Sequence, residues 1–115
     1  MKRFALAFVV LSGVTLVPAI GAAQQISCVR GGLQRAVNLY IEAQTKGDTA
    51  GLPLANGLGY VENMERTDIA MGLINTPLKI DHHRSLLDEA TCQTFTEVIV
   101  TDAAKPYVLG TRMRV

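Results

Sequence analysis

Residues 91–115 constrain the fold more than any other stretch. They read TCQTFTEVIVTD, then AAKP, then YVLGTRMRV. In the first run Cys92, Thr94, Thr96, Val98 and Val100 alternate with Gln93, Phe95, Glu97, Ile99 and Thr101, the two-residue period of a strand with two unlike faces. Its β-branched residues stiffen the chain in the extended form. In the second run Tyr107, Leu109, Thr111, Met113 and Val115 alternate with Val108, Gly110, Arg112 and Arg114. With residues 102–106 as a short link, the two runs predict an antiparallel hairpin at the centre of the sheet.

A helix is predicted to cover that sheet. Leu33, Val37, Tyr40 and Ile41, with Ala36 beside them, recur at helical spacing, and Gln34, Asn38, Glu42 and Thr45 take the opposite face. Gly47, directly after Lys46, is a stop signal with a cation at the negative helix end. Asp48 or Thr49 could open a short second helix, ended by Pro53. Beyond the breaks at Asn56-Gly57 and Gly59, residues 58–62 (LGYVE) predict a short strand. Residues 63–68 read as a polar loop, and the apolar run 69–74 (IAMGLI) is too short to assign. Residues 79–88 (KIDHHRSLLD) alternate as a further strand, with Ile80, His82, Arg84 and Leu86 on one face. One helix region followed by strands predicts an α+β domain, its N-terminal helices packed on a curved antiparallel sheet.

The first 23 residues stand apart. Lys2 and Arg3 precede an uncharged apolar run over residues 4–17, and Pro18 opens a small-residue segment, AIGAA. That is the layout of a secretory signal peptide, and the run is shorter than the roughly 20 apolar residues of a membrane span. Residues 24–115 are then one mature domain, secreted to the outside or, in a bacterium, to the periplasm. Removing Lys2 and Arg3 from 11 basic residues leaves 9 against 10 acidic ones. Neither sign is clustered, so nucleic-acid binding has no electrostatic footprint, and no membrane association is expected after signal removal. A domain this small is marginal without a staple. In an oxidising compartment, Cys28 and Cys92 would supply one by closing a loop of roughly 60 residues. Two alternatives are free core thiols and a lipid-modified Cys28, the second opposed by Gln25, where a lipobox places an apolar residue.

With these elements in place, LQRAVNLYIEAQTKGDTAGL followed by GYVEN resembles the opening of the cone-fold superfamily of nuclear transport factor two, ketosteroid isomerase and the SnoaL polyketide cyclases. YVEN, IDHHRSLLD, CQTFTEVIV and KPYVLGTRMRV resemble, more narrowly, a secreted and mostly fungal group within it that is a domain of unknown function. The resemblance implies a cone-like roll, with further strands after the one at residues 107–115. The chain would then match the N-terminal part of a longer family domain. It also implies dimerisation through the sheet and an inward-facing acid–base set without a cofactor.

Three functional readings follow. The first is a secreted domain binding a small hydrophobic molecule without catalysis. The second is a cofactor-independent lyase, isomerase or cyclase on a polyketide-like substrate. In it His82, titrating near neutrality, Tyr60 as oxyanion donor and Glu62 as base would share a cavity. The third is a nonfunctional fragment. His82 is the histidine expected to face inward, because it shares a strand face with Ile80 and Leu86; His83 points the other way. A buried pocket with His82 facing a carboxylate would favour the enzyme, and both histidines in solvent would oppose it. No metal site is expected, since no C-x-x-C accompanies the histidines. Neither a Gly-x-Ser-x-Gly elbow nor a phosphate loop is present.

Overall fold

A computed structural model describes residues 26–115. The signal peptide expected at residues 1–23 lies outside the described residues. The chain is α+β, with helix α1 (Arg30–Lys46), a hairpin of β1 (Tyr60–Glu62) and β2 (Glu65–Thr67), and a sheet of β3 (His82–Asp88), β4 (Gln93–Val100) and β5 (Tyr107–Arg114). The sheet is antiparallel in the order β3-β4-β5.

α1 forms for the reasons its spacing predicts. Leu33, Ala36, Val37, Tyr40, Ala43 and Gln44 are buried along one stripe. Its start is weak: Val29 occupies the N-cap position and offers no side-chain acceptor. The end is well made. Gly47 adopts φ 66° and ψ 35°, and its N–H donates to the Ala43 carbonyl, as expected of a left-handed C-terminal cap. The single helix corrects the expectation of a second one. Asp48 turns its carboxylate back to accept from Ala50 N–H at 2.8 Å, and that local turn competes with helix initiation.

The stretch 63–68 was expected to be a loop, but it contains β2. Asn63 (φ 50°) and Met64 (φ 69°) both lie in the left-handed region. They form the two-residue turn whose twist suits a hairpin, and they set Glu62 opposite Glu65. The unassigned run 69–74 becomes two 3₁₀ turns, Ile69–Met71 and Leu73–Asn75, the first capped by Asp68 accepting from Ala70 N–H at 2.9 Å. These turns supply Ile74 to a core with Tyr40, Ala43, Leu78, Val98 and Val100. Gln44, 2% exposed, donates to the Leu73 and Thr76 carbonyls at 3.2 and 3.0 Å and so pins the second turn to the helix.

In the sheet, Thr94, Thr96, Val98 and Val100 face α1 and are buried. The alternation read for β4 and β5 holds. β3 begins at His82 rather than at Lys79, and its faces are the reverse of the expectation. His82 pairs with Ile99, Arg84 with Glu97 and Leu86 with Phe95. Directly opposed residues share a face, so His82, Arg84 and Leu86 lie on the outer side, away from α1. Leu86 is 73% exposed.

Cys28 and Cys92 form a disulfide with Cα atoms 4.9 Å apart. It joins the chain just before α1 to the start of β4. The bond fits maturation in an oxidising compartment. No described helix is long and apolar enough to cross a membrane.

Candidate functional site

The three residues expected to form an acid–base set are not gathered together. Tyr60 and Glu62 project from the same side of β1, and the Tyr60 hydroxyl donates to Glu62 Oε2 at 2.9 Å. The same oxygen accepts from Leu73 N–H at 2.9 Å. Glu62 thereby supplies the acceptor that the second 3₁₀ turn lacks at its start. Tyr60 lies against Gly72 so closely that a Cβ there would come within 2.5 Å of the hydroxyl. The pair is a clamp between β1 and the 3₁₀ turns.

His82 and His83 are both exposed. His82 lies on the outer face of β3, and among the described residues no hydrogen bond joins either histidine to a carboxylate. Asp81 accepts instead from Thr101 N–H and Oγ1, at 2.7 and 3.0 Å. Those bonds hold the Asp81 carboxyl below its usual range. Thus the adjacent carboxylate is used to tie the entry of β3 to the end of β4. Among the described residues no group of three or more His, Cys, Asp or Glu is placed to hold a metal ion.

Partial burial first, then the hydrogen bond and charge of Glu62, push the Tyr60 hydroxyl from 10.0 up to about 12. A phenol with a raised pKa favours the protonated form in the folded chain. Its contribution to stability is therefore complete below pH 10 and is lost as the pH rises from about 10 to 12. Ultraviolet titration of tyrosinate should show one tyrosine ionising late, and Glu62→Gln should bring that step to lower pH. An unchanged titration in the variant would separate Tyr60 from Glu62 in solution.

The outer face of the sheet carries a different cluster, which was not selected from sequence. Leu86, Phe95 and Val108 are 73, 46 and 74% exposed, and Ile99 lies among them. Leu86, Asp88, Gln93, Thr94, Phe95 and Arg112 line an open hollow of about 230 Å³. The Phe95 ring leans over Gly110, where an added Cβ would meet it at 3.2 Å; the glycine makes room for the ring to lie along the sheet. An ion pair between Arg84 and Glu97 borders the patch. The signal available in the sequence was an aromatic residue on the otherwise polar side of β4.

The arrangement can hold an apolar group against Phe95 and Leu86 while Arg112 meets an anionic end. Proton transfer would need an acid or base aimed at that group, and His82 makes no hydrogen bond that would orient it. No family model matches the chain, and no curated protein or solved structure is found to be similar to it.

Proposed function

We propose that this chain is a secreted, non-catalytic domain that binds a small hydrophobic molecule on the outer face of its sheet, at Phe95. The observation that carries this reading is the open hollow of about 230 Å³ lined by Leu86, Phe95 and Arg112. A dry cavity of about 150 Å³ accepts benzene, so the hollow suits one substituted ring. Secretion is supported by the disulfide and by the N-terminal sequence. The proposed relation to the SnoaL-like cone fold rests on α1 ending in a Gly-Asp turn, followed by a short hairpin and an antiparallel sheet.

The competing reading as a lyase, isomerase or cyclase rests on the Tyr60–Glu62 hydrogen bond. It is the weaker one, because Glu62 Oε2 is already occupied by Tyr60 and Leu73 N–H. Titration with 1-anilinonaphthalene-8-sulfonate, an aromatic probe with one anionic group, tests the choice. Saturable binding should weaken about tenfold in Phe95→Ser, as expected when an aromatic contact is removed, and should be unchanged in His82→Ala. Absence of saturable binding, or equal binding by wild type and Phe95→Ser, would reject the site.

A further inference from the structure

β5 is a free sheet edge. Among the described residues it pairs with β4 on one side and with no strand on the other. Val115 N–H donates to the Cys92 carbonyl at 3.0 Å. The backbone groups of successive residues in a strand point to alternate sides. The odd-numbered residues of β5 therefore bond to β4, whereas Val108, Gly110, Arg112 and Arg114 turn their N–H and C=O groups outward. The strand runs for 8 residues, with no proline and no positive φ to interrupt it.

Its side chains are also only half covered. Tyr107, Leu109, Thr111 and Met113 are half-buried, whereas Thr94, Thr96, Val98 and Val100 on the neighbouring strand are 1, 0, 0 and 3% exposed. The opposite edge differs. β3 carries His82, His83, Arg84 and Asp88 among its 7 residues, the kind of edge that opposes further pairing.

We propose that two copies of this chain associate through β5, antiparallel about a two-fold axis at Thr111, to form one continuous six-stranded sheet. Opposed residues must share a face, so the axis has to pass through a residue. With the axis at Thr111, Gly110 faces Arg112 of the partner subunit and Val108 faces Arg114 of the partner subunit. On the core side, Leu109 faces Met113 of the partner subunit. All four outward-turned residues then lie in hydrogen-bonded pairs, and no two arginines are opposed. An axis at Arg112 would instead set two guanidinium groups against each other. An axis at Gly110 would leave Arg114 without a strand residue opposite it. Glu97 pairs with Gly110 across β4 and β5. The arginine laid over that glycine by the partner subunit therefore approaches a carboxylate with no side chain in between. This association stands independently of the hollow at Phe95.

Sedimentation equilibrium of the oxidised chain tests the proposal, with two substitutions at Val108, whose 74% exposure lets it change without disturbing the core. Wild type should show a concentration-dependent dimer. Val108→Lys places a cation opposite Arg114 of the partner subunit, twice per dimer, and should weaken association about tenfold. Val108→Glu places a carboxylate there and should tighten it. The amide protons of Val108, Gly110, Arg112 and Arg114 should exchange more slowly as concentration rises. A monomer at all concentrations overturns the proposal. So do equal effects of lysine and glutamate, which would point to loss of apolar contact rather than to this register.

Discussion

Replacing Cys28 and Cys92 together by serine should lower the melting temperature by roughly 20 °C, or abolish folding at physiological temperature. The bond closes a loop across a sequence separation of 64. The chain-entropy model assigns such a closure about 4 kcal/mol, a large share of the roughly 5–15 kcal/mol that holds a domain together. The effect should also be local. α1 begins at Val29 with no side-chain cap, so the covalent tie to β4 does the work of holding the helix entrance against the sheet. Amide exchange in the first turn of α1 should rise more than exchange in β4. Thermal unfolding with and without reductant measures the global effect, and the intact mass of the oxidised chain should be lower than the reduced one by two hydrogens. Equal melting temperatures in both conditions would remove the disulfide from the account of stability.

Gly47→Ala should cost about 3 kcal/mol, the second largest effect expected. Two terms combine there. Alanine at φ 66° pays the left-handed penalty of roughly 1–2 kcal/mol. Its Cβ would also lie 2.6 Å from the Pro77 nitrogen and Cδ, and forcing atoms into a packed site costs about another 1–3 kcal/mol. Two other glycines separate the terms. Gly57 has φ 74° but nothing within 4 Å of a built Cβ, so its alanine variant should show the conformational term alone. Gly51 has open space and no positive φ, so Gly51→Ala should be near neutral. Urea midpoints for the three variants should rank in that order. A Gly47→Ala no worse than Gly57→Ala would show that the helix end and Pro77 separate readily, and that the close packing of the 3₁₀ segment on α1 contributes little.

Much of the fold was legible because it is written at short range. The stripe of Leu33, Val37 and Tyr40, the stop at Gly47, and the two-residue alternation of β4 and β5 each depend on neighbours within a turn or a pleat. The failures have physical causes. β2 was missed because its residues, Glu65–Thr67, are all exposed and so carry no apolar alternation. The second helix failed because Asp48 forms its own turn. β3 was read with its faces reversed because Leu86, an apolar residue, was assumed to face the core. The register with β4 instead places it beside Phe95, on the outside.

The same distinction governs the candidate sites. The sequence by itself determined an α+β chain, a helix with its stop, the two long strands, and a pair of cysteines suited to an oxidising compartment. These follow from periodicity, turn chemistry and residue type, which are local. Only the tertiary structure decided that His82 faces outward, that Glu62 is engaged by Tyr60 and Leu73, that Phe95, Leu86 and Arg112 share a hollow, and that β5 presents a free edge. Each of these depends on which residues from distant parts of the chain lie opposite one another. A shift of one residue in strand register exchanges the two faces of the sheet, and the pattern within a single strand does not record that choice.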